Sequence, residues 1–488
     1  MSARRGAVNA LAMASGTALH PNTSQSHCGE PRTIPAPNIL LIVADDHRAD
    51  ALGVRGNRTV STPVLDRLAA GGFSFTRASI AGGLMPAVCS PSRAALMTGL
   101  SPFRADAAPR LVGAEPYEVK IPADACTLPE RFRAAGYETF LTGKWHNDVD
   151  SLLRSFTDGK NIFHGGMCDH RAVPVRDLDE IRRDSPPQVG KGFSTELFCG
   201  AAAEFIRSRR TSDRPFFVCV ALTSPHDPRT PPEAFHELYD PATVPLPANF
   251  RTAHPFDNGE LEVRDERLLE HPLVESAVRE ALADYYGLIS HQDAWIGRIQ
   301  TALVETGKAD STIVLYLSDH GLALGSHGLL GKQNVYEHSL RVPAILAGPG
   351  VPQNRRFDGM VYTFDLYATL CELAGLSPPA GVDSRSLVPA FATNAAPIRE
   401  SLGAAYMDRQ RMVTDGRWKL IVYRVGGEQR IQLFDLETDP GECSDRSEDP
   451  AHAVRIDGLW KRLEAWQHEF GDRWFAPLNG KKRPRHLS

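Results

Sequence analysis

Long apolar runs, each closed by a cluster of polar residues, set the rhythm of this chain. Ile39-Leu40-Leu41-Ile42-Val43, Phe216-Phe217-Val218-Cys219-Val220-Ala221-Leu222 and Thr312-Ile313-Val314-Leu315-Tyr316-Leu317 show no alternation of polar and apolar positions. Runs of that kind predict strands covered on both faces, the habit of parallel sheets. Tyr137-Glu138-Thr139-Phe140-Leu141 predicts a shorter strand. Between these runs the spacing predicts helices over 62–71, 90–99, 127–135, 194–210, 275–306 and 360–375. Pro63 and Pro91 stand where a first helical turn accepts proline, and Gly71, Gly99 and Gly136 stand where helices end. Alternating strands and helices predict an α/β fold with a large, mostly parallel central sheet sandwiched by helices. The stretch 377–397, rich in Ala, Pro and Ser, marks a boundary. After it, 411–423 predicts a hairpin around Asp415-Gly416, 433–436 a strand and 456–470 a closing helix. No internal repeat is present.

Every predicted buried strand ends in residues that carry chemistry. The first ends in Asp45-Asp46, the short one in Gly143-Lys144-Trp145-His146, the next in Ser224-Pro225-His226-Asp227. The last ends in Ser318-Asp319-His320-Gly321, with Lys332 a short way on. In parallel α/β sheets, sites gather at the carboxyl ends of strands. Two adjacent carboxylates there repel unless a cation lies between them. Taken singly, each residue has a plainer reading: a solvated loop start, a surface lysine, a packing histidine. Four strands ending this way make one shared site the better account, fit for a divalent cation and a tetrahedral anion. A fifth feature joins them. With Ser90 as N-cap, Cys89 falls on the loop just before a helix N-terminus, a place that favours anions, and Arg93 lies within the first turn. Two connections, 147–193 and 228–275, are long and irregular, and the first offers His164, His170, Arg171 and Arg176 as pocket-wall candidates.

Composition narrows the partners. The net charge of −5 over 488 residues gives no basic field for nucleic acid. No stretch approaches the roughly 18 apolar residues of a membrane span. The eight cysteines are scattered, neither a disulfide framework nor a zinc site. Arg4 and Arg5 before the small-residue stretch 7–19 fit either a secretory signal or a tail. The first implies a periplasmic or secreted protein, the second a cytoplasmic one. Nothing in the sequence fixes the oligomeric state.

Cys89-Ser90-Pro91-Ser92-Arg93 resembles the signature of type I sulfatases, in which the cysteine is oxidised to formylglycine. Gly143-Lys144-Trp145-His146 and the run 318–343 resemble further segments of that family, in family order, and the resemblance covers about 38–470. Asp-His at 319–320 resembles the iduronate 2-sulfatase, choline sulfatase and phosphonate monoester hydrolase branches. The resemblance implies the alkaline phosphatase superfamily fold, with a tail or signal segment at 1–37, a sulfatase catalytic domain at 38–397 and a small C-terminal antiparallel α+β subdomain at 398–488. It implies Asp45, Asp46, Asp319, His320 and the modified Cys89 as ligands of Ca²⁺, or of Mg²⁺. It implies Arg93 as activator of the nucleophile, Lys144 and Lys332 as sulfate-binding cations, His226 as proton donor to the leaving alcohol and His146 as base. The expected partners are a sulfated small molecule or saccharide and a formylglycine-generating enzyme. The alternatives are a phosphonate or phosphate ester hydrolase of the same superfamily, or an inactive sulfated-glycan binder.

Overall fold

The computed structural model describes residues 36–107, 118–209 and 214–474. The candidate signal stretch 7–19 lies outside them. Nine strands form the main sheet: β1 (Asn38–Ala44), β2 (Phe73–Ser79), β3 (Glu138–Lys144), β4 (Asp158–Phe163), β5 (Phe216–Ala221), β6 (Thr312–Ser318), β7 (Arg341–Val342), β8 (Ala344–Ala347) and β9 (Arg355–Tyr362). Their order is β7-β2-β8-β6-β1-β5-β3-β4, with β9 also paired to β2. From β4 through β6 the pairing is parallel, and β8 runs antiparallel to both β6 and β2.

The apolar runs are continuous because both faces of the sheet are covered. Ile39, Leu41 and Val43 point into one core with Phe217, Cys219, Ile313 and Leu315. Helices α2 (Cys89–Thr98), α3 (Leu128–Ala134) and α6 (Asp365–Leu373) close that side through Leu96, Phe132 and Leu370. Leu40 and Ile42 point the other way, under α1 (Pro63–Ala70), α4 (Ser194–Ser208) and α5 (Glu275–Glu305), whose Leu65, Phe198 and Ile296 cover them. Register then fixes the site. Val43 stands opposite Ala221 on one side and Leu317 on the other, and Ala221 also stands opposite Gly143. Four strands therefore release their next residues at one rim. Gly143, at φ 93°, is required there: a Cβ would lie 1.9 Å from the Ala221 carbonyl oxygen.

Three local expectations are corrected. Met360, Val361 and Tyr362 belong to β9, not to a helix beginning at 360, because they pair with β2 and the helix starts only at Asp365. Cys89 is the first residue of α2 rather than the loop before it. Val88 stands at the N-cap, and the Ser90 hydroxyl instead donates to the His146 carbonyl (2.8 Å) and accepts from Val119 N–H (2.7 Å). The connection 147–193 contains β4, whose Asp158-Gly159-Lys160-Asn161 start carries no hydrophobic signal.

A second, five-stranded sheet joins β10 (Leu402–Tyr406), β11 (Gln410–Thr414), β12 (Trp418–Val425) and β13 (Glu428–Asp435), all antiparallel, to Gly82–Gly83, which pairs parallel with β10. Helix α7 (Ala453–Phe470) lays Leu459, Trp460, Leu463 and Trp466 on Leu420, Val422 and Leu433. A buried ion pair ties this region to α6. Arg399 donates to both Asp365 oxygens (2.5 and 2.8 Å), which also accept from the N–H groups of Tyr362 and Arg385. Arg399→Ala leaves that carboxylate buried without its cation and is expected to cost about 3–5 kcal/mol in denaturant unfolding. A loss under about 1 kcal/mol would mean that water or Arg385 replaces the guanidinium. No described helix is long and apolar enough to cross a membrane.

Candidate active site

Arg93 is the hub of the rim. Its Nε donates to Asp319 Oδ2 (2.8 Å), Nη1 to the Lys144 carbonyl (3.1 Å) and Nη2 to the Leu222 carbonyl (3.3 Å), and Nη2 lies 3.6 Å from Asp45 Oδ2. One guanidinium, 3% exposed, thus binds the ends of β1, β3, β5 and β6 together. Ser92, one residue before it, donates to the Asp319 carbonyl (2.6 Å). The chain turns sharply at the same place. Asp46 (φ 69°) and His146 (φ 55°) both adopt left-handed backbone that residues with a Cβ avoid. The Asp46 turn is held by Tyr285, whose hydroxyl donates to the Asp46 carbonyl (2.6 Å) and accepts from Arg48 N–H (2.8 Å).

Around this hub the sequence-predicted residues converge. Cys89 Sγ lies 3.2 Å from His146 Nδ1. Lys144 Nζ donates to Asp45 Oδ2 (2.5 Å) and to the Gly166 carbonyl (2.6 Å). Lys332 Nζ donates to Asp46 Oδ1 (2.9 Å). His320 Nδ1 lies 2.9 Å from Asp46 Oδ1, while its Nε2 lies 3.5 Å from Asp319 Oδ1 and 3.7 Å from Asp45 Oδ1. His226 Nε2 stands 3.9 Å from Asp46 Oδ2. All of these side chains are buried.

The electrostatics follow from that burial. Burial alone would push the Asp45 carboxyl up, but Lys144, with His226 and Arg93, holds it well below the usual carboxylate range. Burial likewise opposes ionisation of Asp46, and Lys332, with His226 and His320, overcomes it. Asp319 goes the other way: burial, and then Asp45 beside it, raise its carboxyl. Burial would raise the Cys89 thiol too, yet Lys144 and His146 hold it well below its ordinary value. Three buried atoms in this group have no hydrogen-bond partner: Asp45 Oδ1, Asp46 Oδ2 and His320 Nε2. Unpartnered buried acceptors are costly, and a cation among them would supply the missing partner. Asp45, Cys89, Asp319 and His320 present ligand atoms within 4.8 Å of one another, and Asp45, Asp46 and His226 form an adjoining set. The residues present therefore fit a divalent cation, with oxygen donors dominant.

The site opens into a cleft of about 660 Å³ lined by Cys89, His146, His226 and Lys332 at its floor and by Met167 and Arg264 higher up. Of the pocket-wall candidates, His164 lines the cleft. His170 lies behind it, with Nε2 3.0 Å from the His226 carbonyl. Arg171 and Arg176 bind the carbonyls of Pro231 and Ser185 and are not among the lining residues. Sequence reading missed Glu118, Arg264, Asp265 and Gln333, all on the wall. Arg264 and Asp265 belong to the excursion 228–275, where charge is dense and no motif singles them out.

The sulfatase family model matches residues 37–376, and that of the C-terminal part of N-sulphoglucosamine sulphohydrolase matches 325–469. An arylsulfatase from Clostridium perfringens is 30% identical over 464 residues, spanning 88% of this chain and 93% of its own. A choline-sulfatase from Rhizobium meliloti is 29% identical over 86% of this chain and 84% of its own. A solved structure in complex with its substrate, D-glucosamine-2-N,6-O-disulfate, shares the fold, with TM-score 0.74 at 22% identity over 90% of this chain and 99% of that one. With the family model matching more than half its length, the chain belongs to the sulfatase family of the alkaline phosphatase superfamily and is a sulfuric ester hydrolase.

Proposed function

We propose that the enzyme removes sulfate from a sulfated carbohydrate, with Cys89 as the precursor of a formylglycine nucleophile and Ca²⁺, or Mg²⁺, held by Asp45, Asp46, Asp319, His320 and residue 89. The observation that carries this reading is the meeting, at one sheet rim, of a buried cysteine, two lysines and three unpartnered ligand atoms. Carboxylate oxygens dominate the donor set, which favours a hard cation. A bound cation would supply Lewis-acid charge at the nucleophile. A formylglycine would supply a hydrated aldehyde, with one hydroxyl to attack sulfur and a second to expel sulfate.

The chain's own residues do the rest. Arg93 keeps its charge beside residue 89 and holds Asp319 and Asp45 in place. Lys144 and Lys332 bind the sulfate oxygens as negative charge gathers on them. His226 Nε2 hands a proton to the departing alcohol, and Lys332 can share that role. His146, whose Nδ1 faces residue 89 at 3.2 Å, takes the proton that must leave that residue. All ten residues of α2 are buried, so a formylglycine-generating enzyme would act on Cys89 before the chain closes around it. The cleft has room for a saccharide unit, and the solved relative that holds a disulfated glucosamine supports a sugar as substrate.

A panel of defined sulfated saccharides, run beside phosphonate and phosphate monoesters, tests this reading. Sulfate release from a subset of the saccharides is the expected result. Faster turnover of the phosphonates, or saccharide binding with no release by protein carrying the aldehyde at residue 89, would overturn it. Lys144→Ala and Lys332→Ala are each expected to lower kcat/KM about 10²-fold, the scale for losing one donor to developing charge. Values within about threefold of wild type, well under 1 kcal/mol, would place sulfate elsewhere.

A further inference from the structure

The excursion between β5 and α5 returns to the cleft at Arg264 and Asp265. Arg264, 46% exposed, pairs with Asp227 Oδ2, and its Nη1 lies 3.3 Å from Asp265 Oδ1. Asp227 is buried. Its second oxygen lies 3.2 Å from His226 Nδ1, and its main-chain carbonyl lies 2.8 Å from the same nitrogen. Two acceptors against Nδ1 fix a proton there, which leaves Nε2 as the ring atom facing the site floor. Asp265 accepts from Gln333 Nε2 (2.8 Å) and lies 4.0 Å from Lys332 Nζ. Arg264 thus stands between two carboxylates, Asp227 beside His226 and Asp265 beside Lys332.

We propose that Arg264 and Asp227 are positioning residues for protonation of the leaving alcohol: Arg264 clamps the Asp227 carboxylate, and Asp227 holds the His226 ring with Nε2 toward the ester oxygen. The proposal rests on the reading of His226 as proton donor. As sulfur bonds to the nucleophile at residue 89, the ester S–O bond breaks and its electron pair stays on the alcohol oxygen. The Nε2 proton of the imidazolium passes to that oxygen. His226 is left neutral, with its Nδ1–H still donating to Asp227. Burial opposes a charged Asp227, but His226, Arg229 and Arg264 hold its carboxyl below the ordinary range, so the anion that orients the ring persists. The clamp explains why an arginine exposed at the cleft wall is committed to two carboxylates rather than left free for substrate.

Leaving-group dependence tests this on the mature, metal-loaded enzyme. A proton donor matters most when the departing oxygen is basic, so a series of sulfate monoesters from 4-nitrophenyl through phenyl to alkyl reads the donor's alignment directly. His226→Gln should steepen the dependence, with about a 10³-fold loss on the alkyl ester. Arg264→Gln should steepen it in the same sense, lowering kcat about 10- to 100-fold on the alkyl ester and a few-fold on 4-nitrophenyl sulfate, with KM within about twofold. Arg264→Lys should recover most of the loss, and Arg264→Gln should add nothing in the His226→Gln background. Asp227→Asn, checked for its melting temperature, supplies the same slope if Arg264→Gln folds poorly. A loss equal across all leaving groups, or one carried by KM, would overturn the clamp and make Arg264 a substrate contact. A steepened slope in His226→Gln without one in Arg264→Gln or Asp227→Asn also overturns the clamp, while leaving His226 in its role. A flat response to His226→Gln overturns that role and the clamp with it.

Discussion

Cys89→Ala is expected to abolish sulfate release, and Cys89→Ser to stop after a single turnover. The two variants differ by one oxygen, and that oxygen separates the two halves of the reaction. Serine keeps a hydroxyl where Sγ now lies, 3.2 Å from His146 Nδ1 and beside Lys144 and Arg93. The side chain can therefore still attack sulfur. Alanine has nothing to attack with. After attack, the serine ester has no neighbouring hydroxyl on the same carbon to collapse against, so the second half has no route. A covalent mechanism needs both halves. A burst of one equivalent of alcohol, followed by protein bearing one sulfo group at residue 89, is the expected record for the serine variant. The wild-type enzyme, in its active form, should carry an aldehyde there by peptide mass analysis. Steady multiple turnover by Cys89→Ser, or full activity from protein whose Cys89 is entirely an unmodified thiol, would rule the mechanism out.

The sheet was readable from sequence where burial on both faces removes every polar position. β1, β5 and β6 announce themselves as unbroken apolar runs because helices cover them above and below. β2 and β4 do not, since Ser74, Arg77, Lys160 and Asn161 interrupt them. Their strand character comes from pairing with neighbours far away in sequence, which no local pattern contains. The site follows the same division. Asp45, Lys144, His226 and Asp319 were legible because each follows a recognisable strand, and parallel register then forces their convergence. The bond of Arg93 to the Leu222 carbonyl, the hold of Tyr285 on Asp46 and the pairing of Arg264 with Asp227 were not legible. They depend on long-range approach, and an arginine in a charge-rich loop looks the same whether it faces solvent or a buried carboxylate.

Cation removal is the second large effect, and Asp319 is the residue on which to read it. Its Oδ2 belongs to Arg93, while Oδ1 lies 3.5 Å from the unpartnered His320 Nε2 and 3.4 Å from Asp46 N. Burial and the Asp45 charge both raise its carboxyl. A divalent cation shared by Asp45, Asp319 and His320 would oppose that rise. Exhaustive chelation is expected to abolish sulfate release, with recovery on adding Ca²⁺. Asp319→Ala should lower kcat/KM by about 10³-fold or more, since charge supplied by a metal to a transition state is worth several kcal/mol. Activity alone does not separate loss of the cation from loss of the Arg93 anchor. Melting temperature does, because a ligand that binds only the folded state raises it in proportion to the logarithm of concentration over Kd. Wild type should gain stability on titration with Ca²⁺, Asp319→Ala should gain much less, and Asp319→Asn, which keeps an acceptor for Arg93 without the charge, should resemble the alanine variant in this assay. Undiminished sulfate release from protein shown by elemental analysis to hold no metal would overturn the assignment of Asp45, Asp46, Asp319, His320 and residue 89 as ligands.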